Sequence, residues 1–203
     1  MSHSAIPPHI LNQLERLEPG AQFNGGLPRI SSSSGKIYFA KLGSPKEKEQ
    51  YVGEAESLKA MASAAPGLVP SLLAFGFVDD ETGEEEEREI DGGGGSPDGR
   101  RSFFISEYKD MSPLTERSGA ILGKRLATEM HCYTSPNYGA DGASAGGFGF
   151  EVPTFCGATR LRNGWFDTWE GCFDVLIGDL LSTLEARGGY AELCRSGQDV
   201  RLK

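Results

Sequence analysis

The chain has 203 residues, of which 38% are hydrophobic and 24% charged, and this composition suits one ordinary globular domain or two small lobes. A net charge of −9 argues against nucleic acid or an anionic membrane surface as a partner, and no apolar run approaches the roughly 18 residues of a membrane span. The four cysteines are scattered and form no Cys-x-x-Cys pair, which favours reduced thiols in a cytoplasmic protein without a zinc site.

The first 20 residues are predicted to form a short N-terminal helix. Apolar residues at helical spacing mark Pro8 to Leu17, and a Pro-Gly pair follows. Residues 23–26 then predict a turn, and two short strands around a Ser/Gly connection predict a hairpin whose second strand covers residues 36–42. The pair Gly25-Gly26 before that hairpin would let backbone amides approach a phosphate, although such pairs are more often plain turns.

The strand at residues 36–42 presents a lysine, Lys41, among apolar, β-prone neighbours. A helix is predicted after Ser44, and its apolar face places Glu54 about 70° and Glu56 about 130° from the face centre. Glu54 is therefore the better placed to reach Lys41. A strand lysine held by a helix glutamate presents an ammonium to nucleotide phosphates in protein kinase-like folds. The alternative is a lysine that extends to solvent beside an unrelated glutamate.

Two further strands are predicted, at residues 68–78 and 103–105, and they flank a segment of different character. Residues 79–101 combine an acidic run with a run of four glycines and hold almost no apolar residues, which predicts a disordered insert. After the second of these strands, Glu107 and Tyr108 lead into a polar turn. In a kinase-like fold this is the hinge whose backbone reads adenine; the alternative is a strand that simply leaves a sheet.

The remainder of the chain predicts mostly helices. One helix is expected over residues 115–131, a long amphipathic helix over 165–185 and a weak one over 190–195. The long helix would contain Trp165 and Trp169, four residues apart on one face, so core packing is expected for both.

In this order and spacing, over roughly residues 20–185, the sequence resembles the ketosamine kinase family, that is fructosamine-3-kinase and protein-ribulosamine 3-kinase. These enzymes belong to the aminoglycoside-phosphotransferase-like branch of the kinase fold. The stretches that carry the resemblance are Tyr38-Phe-Ala-Lys41, Gly53-Glu54 with Ser57-Leu58, Val69-Pro70, Phe104-Ile-Ser-Glu-Tyr108, Leu122-Gly-Lys-Arg-Leu-Ala127 with Met130-His131, Phe148-Gly-Phe150, and Asn163-Gly-Trp165 with Trp169.

The resemblance implies an α+β, protein kinase-like fold. It consists of an antiparallel-sheet N-lobe with one main helix over residues 21–110, and the first helices of an incomplete helical C-lobe over residues 111–203. It also implies ATP-dependent phosphorylation of the third hydroxyl of ketosamines, which are glycated proteins or small analogues, in deglycation repair.

The resemblance further assigns roles to six residues. Lys41 would contact ATP phosphates and Glu54 would orient it. Gly25 and Gly26 would lie in the loop over the phosphates, while Glu107 and Tyr108 would line the adenine pocket. The surroundings of the glycine pair depart most from the family pattern.

A larger departure concerns the catalytic residues. Kinases of this branch carry a His-Gly-Asp-x-x-x-x-Asn loop, whose aspartate takes the substrate proton, and a later aspartate that holds magnesium. Neither stands in this sequence, and Gly178-Asp179 lies in a predicted helix without the preceding histidine. We therefore expect no catalytic aspartate and no metal ligand, a chain truncated before the catalytic loop, and little or no kinase activity.

Two other interpretations remain open. The chain could be a non-catalytic module that uses the kinase lobe to bind nucleotide or a protein. It could also be an unrelated acidic α+β scaffold in which Lys41 and Glu54 never meet.

Overall fold

The structure is a computed structural model that describes residues 6–79, 85–87, 100–134 and 147–201. The chain divides into two compact units, Met1–Tyr133 and Thr134–Lys203. The lobe boundaries expected from the sequence, after residues 20 and 110, stay a prediction.

An antiparallel sheet organises the first unit, as the predicted fold class requires. Its strand order is β1-β2-β3-β6-β4-β5, and every neighbouring pair is antiparallel. The strands are β1 (Phe23–Gly26), β2 (Arg29–Ser32), β3 (Ile37–Leu42), β4 (Leu72–Val78), β5 (Glu85–Glu87) and β6 (Arg101–Glu107).

Two stretches of this sheet differ from the sequence predictions. Residues 23–26, predicted as a turn, form β1 and pair with β2, so the turn lies at Leu27-Pro28 instead. Residues 85–87 of the predicted insert pair with β4. Arg101, the last residue of that insert, begins β6. Residues 80–84 and 88–99 lie outside the described residues.

The N-terminal helix α1 (Pro8–Leu17) covers one face of the sheet. Proline suits its first turn because the missing N–H would have no helical acceptor there. Ile10 and Leu14, four residues apart, are fully buried and pack into one apolar cluster with residues of three strands. The strand members of that cluster are Ile30, Tyr38, Ala40, Phe103 and Ile105.

The other face of the sheet receives helix α2 (Lys48–Ala64). A short 3-10 turn, Pro45–Glu47, precedes it, and Ser44 and Glu47 form a capping box that satisfies backbone N–H groups at this end. The second apolar cluster lies here and contains Tyr51, Ala55, Phe75, Phe77 and Phe104. Because side chains alternate along β6, Phe103 packs toward α1 and Phe104 toward α2.

The helix predicted over residues 115–131 is present as α3 (Glu116–Arg125), continued by a π-helical turn at Leu126–Met130. The Thr115 hydroxyl caps its start by accepting a hydrogen bond from the Ser118 N–H at 3.1 Å. Near its end, Arg125 bonds the Glu129 carboxylate and the carbonyl oxygen of Pro66.

The described part of the second unit, residues 134 and 147–201, holds two small two-stranded antiparallel sheets and two helices. Strands β7 (Phe148–Phe150) and β10 (Gly164–Phe166) pair, as do β8 (Thr154–Cys156) and β9 (Thr159–Leu161). Helices α4 (Trp169–Arg187) and α5 (Ala191–Arg201) follow.

The prediction for the two tryptophans is wrong. Trp165 lies in β10, not in the long helix, and Trp169 is the first residue of α4. Both are exposed, at 57% and 58%. Thr168 caps α4, so the helix begins after Trp165. None of the described helices is long and apolar enough to cross a membrane.

A polar junction ties the end of α1 to the β2–β3 turn. The Glu18 carboxylate accepts a hydrogen bond from the Tyr38 hydroxyl at 2.9 Å and lies 3.6 Å from the Lys36 ammonium. Hydrogen bonds from Ser34 and Ser32, with that from Tyr38, lower the pKa of Glu18 from 4.5 to about 2 despite desolvation. Burial and the Glu18 contact raise the pKa of Tyr38 to about 12.

Glu18→Gln is expected to remove part of the acid sensitivity of the fold. The folded pKa of Glu18, about 2, lies below its ordinary value of 4.5. Its contribution to stability is therefore complete above pH 4.5 and is lost as the pH falls toward 2. Urea unfolding at a series of pH values from 7 to 2 measures the effect. The free energy of unfolding of wild type should exceed that of Glu18→Gln at neutral pH, and the two values should converge in acid. Glu15→Gln, exposed on the same helix, is the control; a gap independent of pH would contradict the assignment.

Candidate nucleotide-binding site

Lys41 lies near the end of β3, directly opposite Phe104 of β6. The alternation of the strand directs Tyr38 and Ala40 toward α1, and Phe39 packs in the cluster under α2. Lys41, two residues after Phe39, therefore extends on the α2 side of the sheet. Its side chain is one-quarter exposed, so the ammonium is held by the protein and remains accessible.

The structure brings Lys41 and Glu54 together. The Lys41 ammonium donates to Glu54 Oε2 in an ion pair between β3 and α2. Glu56 instead contacts Lys59 of its own helix at 3.1 Å. The helical geometry thus selects Glu54 for the strand lysine, and the scaffold alternative in which the two residues never meet does not describe this chain.

A second carboxylate, that of Glu47, contributes to the electrostatic field around the Lys41 ammonium. Hydrogen bonds from Ser44 hold the pKa of Glu47 below its usual range, and the charge of Lys41 lowers it further. The Ser44 N–H donates to Glu47 Oε2 at 2.7 Å. Lys41 therefore lies near two acidic groups, Glu54 in direct contact and Glu47 at longer range.

Two aromatic rings also surround the Lys41 ammonium, and sequence reasoning missed both. The nitrogen lies 4.5 Å from the ring centroid of Tyr51 and 5.0 Å from that of Phe104. These are cation–π distances. The available signals were the position of Tyr51, three residues before Glu54 on α2, and the register that pairs Phe104 with Lys41.

The glycine pair lies at the end of the β1–β2 hairpin. Gly25 has a φ of +108°, and a Cβ there would stand 2.8 Å from the carbonyl oxygen of Arg29. Only glycine fits this position without moving the backbone. Gly26 pairs with Arg29, the first residue of β2. The hairpin end is therefore narrow, with no side chain from Gly25 or Gly26.

Glu107 and Tyr108 stand where β6 leaves the sheet. The Glu107 carboxylate contacts Lys109 at 2.7 Å, and this bond is the main reason why its pKa is lowered. The Glu107 N–H donates to the Ser71 carbonyl at 2.9 Å, and the Tyr108 N–H to the Ile37 carbonyl at 3.3 Å. The segment is thus tied to β3 and to the residue before β4.

Four of the six predicted residues fall into two contact groups, and Gly25 and Glu107 are the chain neighbours of the two in the second group. Lys41 and Glu54 form the first, with Tyr51 and Phe104. Gly26 and Tyr108 belong to the second, which Arg29 joins: it pairs with Gly26 in the hairpin, and its guanidinium lies 5.3 Å from the Tyr108 ring centroid. Arg29 is a second cation on this part of the sheet that the sequence did not reveal.

The donor set fits a nucleotide better than a metal ion. An ammonium in reach of solvent, a second cation and a strand end formed by two glycines suit phosphate oxygens. Magnesium takes oxygen ligands, carboxylates above all. Among residues 6–79, 85–87, 100–134 and 147–201, no group of three His, Cys, Asp or Glu side chains could hold a metal ion.

Asp179, in the sequence Gly178-Asp179, serves a structural contact in the second unit. It lies within α4, and its side chain is only 8% exposed. Its carboxylate accepts hydrogen bonds from the Arg162 N–H at 2.6 Å and from Arg162 Nε at 2.7 Å. A carboxylate held in this way is a poor acceptor for a substrate proton, because both of its oxygens already accept hydrogen bonds and its access is restricted.

An antiparallel sheet that presents a strand lysine to a helix glutamate defines a protein of the kinase-like class. A crystal structure of a protein from Haemophilus somnus 129PT, assigned as a fructosamine-3-kinase, is similar in fold, with a TM-score of 0.60 and 16% identity. The match covers 96% of this chain but 61% of that protein. A sequence model of the family described as fructosamine kinase matches residues 19–192, and the chain belongs to this family. No curated protein matches it.

Proposed function

We propose that residues 21–110 form the ATP-binding lobe of a ketosamine kinase. The contact between Lys41 and Glu54 is the observation that carries this proposal, because it is the contact that presents an ammonium to nucleotide phosphates in kinase-like folds. In this role Lys41 binds phosphate oxygens and Glu54 holds its ammonium in place.

The second contact group supplies the remaining parts of the nucleotide site. Gly25 and Gly26 form a strand end without side chains that lets backbone approach the phosphates. Glu107 and Tyr108 line the adenine pocket with the backbone that follows β6. The register places Glu107 three residues beyond Phe104, which is about 10 Å along the strand from the residue opposite Lys41. That separation is suitable for a nucleotide that extends from base to phosphates.

Family membership supports the substrate class that we propose. The acceptor is the third hydroxyl of a ketosamine, either a ribulosamine or fructosamine on a glycated protein or a small analogue, and the reaction serves deglycation repair. ATP is the phosphate donor, and magnesium is the metal ion that binds with it. We place the protein in the cytoplasm, where reduced thiols persist; Cys132, Cys156, Cys172 and Cys194 are all free.

A second candidate function is a non-catalytic nucleotide- or protein-binding module. The buried, Arg162-bound state of Asp179 favours it, because this carboxylate does not replace the missing His-Gly-Asp aspartate. Phosphoryl transfer depends on positioned charge and metal ions, so a lysine without a base and metal ligands binds nucleotide but transfers little. We propose that the 203-residue chain by itself has little or no kinase activity.

One experiment separates the two candidates. The purified chain is incubated with labelled ATP, magnesium and a fructosamine substrate, and phosphate transfer is compared with a no-enzyme sample. We expect saturable ATP binding with transfer near the background rate. Transfer that exceeds background and disappears in Lys41→Ala would show a competent kinase and contradict the inactive assignment. Absence of ATP binding would contradict both candidates in their nucleotide-binding form.

A further inference from the structure

The environment of the Lys41 ammonium goes beyond a single ion pair. Glu54 accepts one of its three N–H donors. The Tyr51 and Phe104 rings approach the same nitrogen, at 4.5 Å and 5.0 Å. Aromatic faces attract a cation but do not saturate its donors as a carboxylate does. Within the described part of the chain, the remaining donors are therefore left for an anion that approaches from the exposed quarter of the side chain.

Both rings are fixed by their own packing. Phe104 is 1% exposed and lies in the apolar cluster under α2. Tyr51 is 7% exposed, and its ring lies against Gly43, where a Cβ would stand 2.9 Å from the ring carbon Cε2. A side chain at position 43 would displace this ring.

The loop that holds the Tyr51 ring is itself bonded to β6. The Gly43 N–H donates to the Ser102 carbonyl at 2.8 Å, and Arg101 Nε donates to the Gly43 carbonyl at 3.1 Å. The ring is thus confined between a fixed backbone segment and the lysine. Burial also raises the pKa of the Tyr51 hydroxyl, so the ring stays neutral beside Glu47 and Glu54 at physiological pH.

We propose that Tyr51 and Phe104 form an aromatic cradle that positions the Lys41 ammonium for an anionic ligand, with Tyr51 as a positioning residue in addition to Glu54. The consequence for nucleotide binding rests on the proposed function, while the position of the lysine does not. In the cradle, the two rings hold the charged end of a flexible side chain in one place before the ligand arrives. Less ordering is then required on binding.

The direct test observes the lysine without any ligand. Ring faces shift nearby protons upfield, so the ε-CH2 protons of Lys41, assigned by comparison with Lys41→Met, should resonate upfield of those of the exposed Lys59. Tyr51→Leu should return them part of the way, and Tyr51→Phe should leave them nearly unchanged. An unshifted resonance in wild type, or one that Tyr51→Leu does not move, would overturn the cradle.

The second readout is ATP affinity. Tyr51→Leu should weaken ATP binding by about fivefold, and Tyr51→Phe by less than about twofold, because the ring face and not the hydroxyl contacts the ammonium. Phe77→Leu is the matched control, since Phe77 lies in the same cluster and is 1% exposed. It should lose stability but keep its ATP affinity. Equal losses of affinity in Tyr51→Leu and Phe77→Leu would reduce Tyr51 to a packing residue.

The Lys41 proton shift tests the cradle and the ATP affinity tests the nucleotide site, so either proposal can fail without the other. If the upfield shift depends on Tyr51 but wild type binds no ATP, the cradle stands and the proposed nucleotide site falls. If wild type binds ATP and Lys41→Met does not, while Tyr51→Leu changes neither the shift nor the affinity, the nucleotide site stands and the cradle falls.

Discussion

Lys41→Met is expected to weaken ATP binding by about 10- to 100-fold. The substitution keeps an unbranched side chain of similar length but removes the charge that we assign to the phosphates. A hydrogen bond to a charged group contributes about 1.5–3 kcal/mol, and each 1.4 kcal/mol corresponds to a factor of ten in the dissociation constant. Titration calorimetry with ATP, at fixed salt because surface charges are screened, measures the effect.

Lys59→Met provides the control for this substitution. Lys59 is also an ion-paired lysine, bound to Glu56 at 3.1 Å, but its side chain is 45% exposed on the outer part of α2. Its loss removes the same charge from the chain and should change the affinity by less than about twofold, since exposed pairs contribute little. Equal losses in Lys41→Met and Lys59→Met would indicate a general charge effect and contradict a phosphate contact at Lys41.

Glu54→Gln extends the same comparison to the partner of the lysine. It keeps the shape of the side chain and removes the charge, so we expect a smaller loss of affinity than in Lys41→Met, because the ammonium itself remains. Glu56→Gln is the corresponding control on the same helix. A larger effect from Glu56 than from Glu54 would mean that the observed ion pair is not the one that serves the ligand.

Elements with strong periodicity were predictable from the sequence. Apolar spacing located α1, and β-prone residues around Lys41 located β3. The turn predicted at residues 23–26 failed because Gly25 and Gly26 suggest a break, whereas their pairing with Arg29 and Ile30 makes them a strand. Pairing of this kind is a property of the neighbouring strand and has no local signature.

The prediction for Trp165 failed for the opposite reason, because it extended the long helix beyond its true N-terminal end. Its distance of four residues from Trp169 fits one face of a helix. The sequence between the two tryptophans, however, contains a residue that indicates a helix start. Thr168 is a good N-cap, and its hydroxyl accepts a hydrogen bond from the Gly171 N–H at 3.1 Å. Because the helix begins at this cap, after Trp165, the two tryptophans do not lie on one helix face.

The candidate site was predictable where it depends on one helix. The angular position on α2 separates Glu54 from Glu56 on the sequence alone, because the rotation of 100° per residue is a local property of a helix. The ring of Phe104 depends on the register between β3 and β6, which are about sixty residues apart in sequence. The contact of Arg29 with Tyr108 is equally long-range. The sequence therefore located the charged pair but not its aromatic surroundings.

Phe103→Ala is expected to produce the largest loss of stability, about 3–5 kcal/mol in the free energy of unfolding. Phe103 is fully buried in the cluster that joins α1 to the sheet, where Ile10 and Leu14 also lie with no exposed surface. Removing the ring leaves a cavity between α1 and three strands of the sheet, because the closely packed side chains around it cannot fill the space. Urea unfolding followed by circular dichroism measures the change.

That loss is large against the 5–15 kcal/mol that typical domains have, so Phe103→Leu, expected to lose about 1–1.5 kcal/mol, supplies a variant that remains folded. Leu73→Ala, on β4 and 37% exposed, is the surface control and should lose less than Phe103→Ala. Because Phe103 faces α1 and Phe104 faces Lys41, Phe103→Leu should keep the Lys41 resonance and the ATP affinity. A Phe103→Leu protein that is stable but loses ATP binding would mean that the two faces of the sheet are not independent, and that the site extends through β6 to the α1 side.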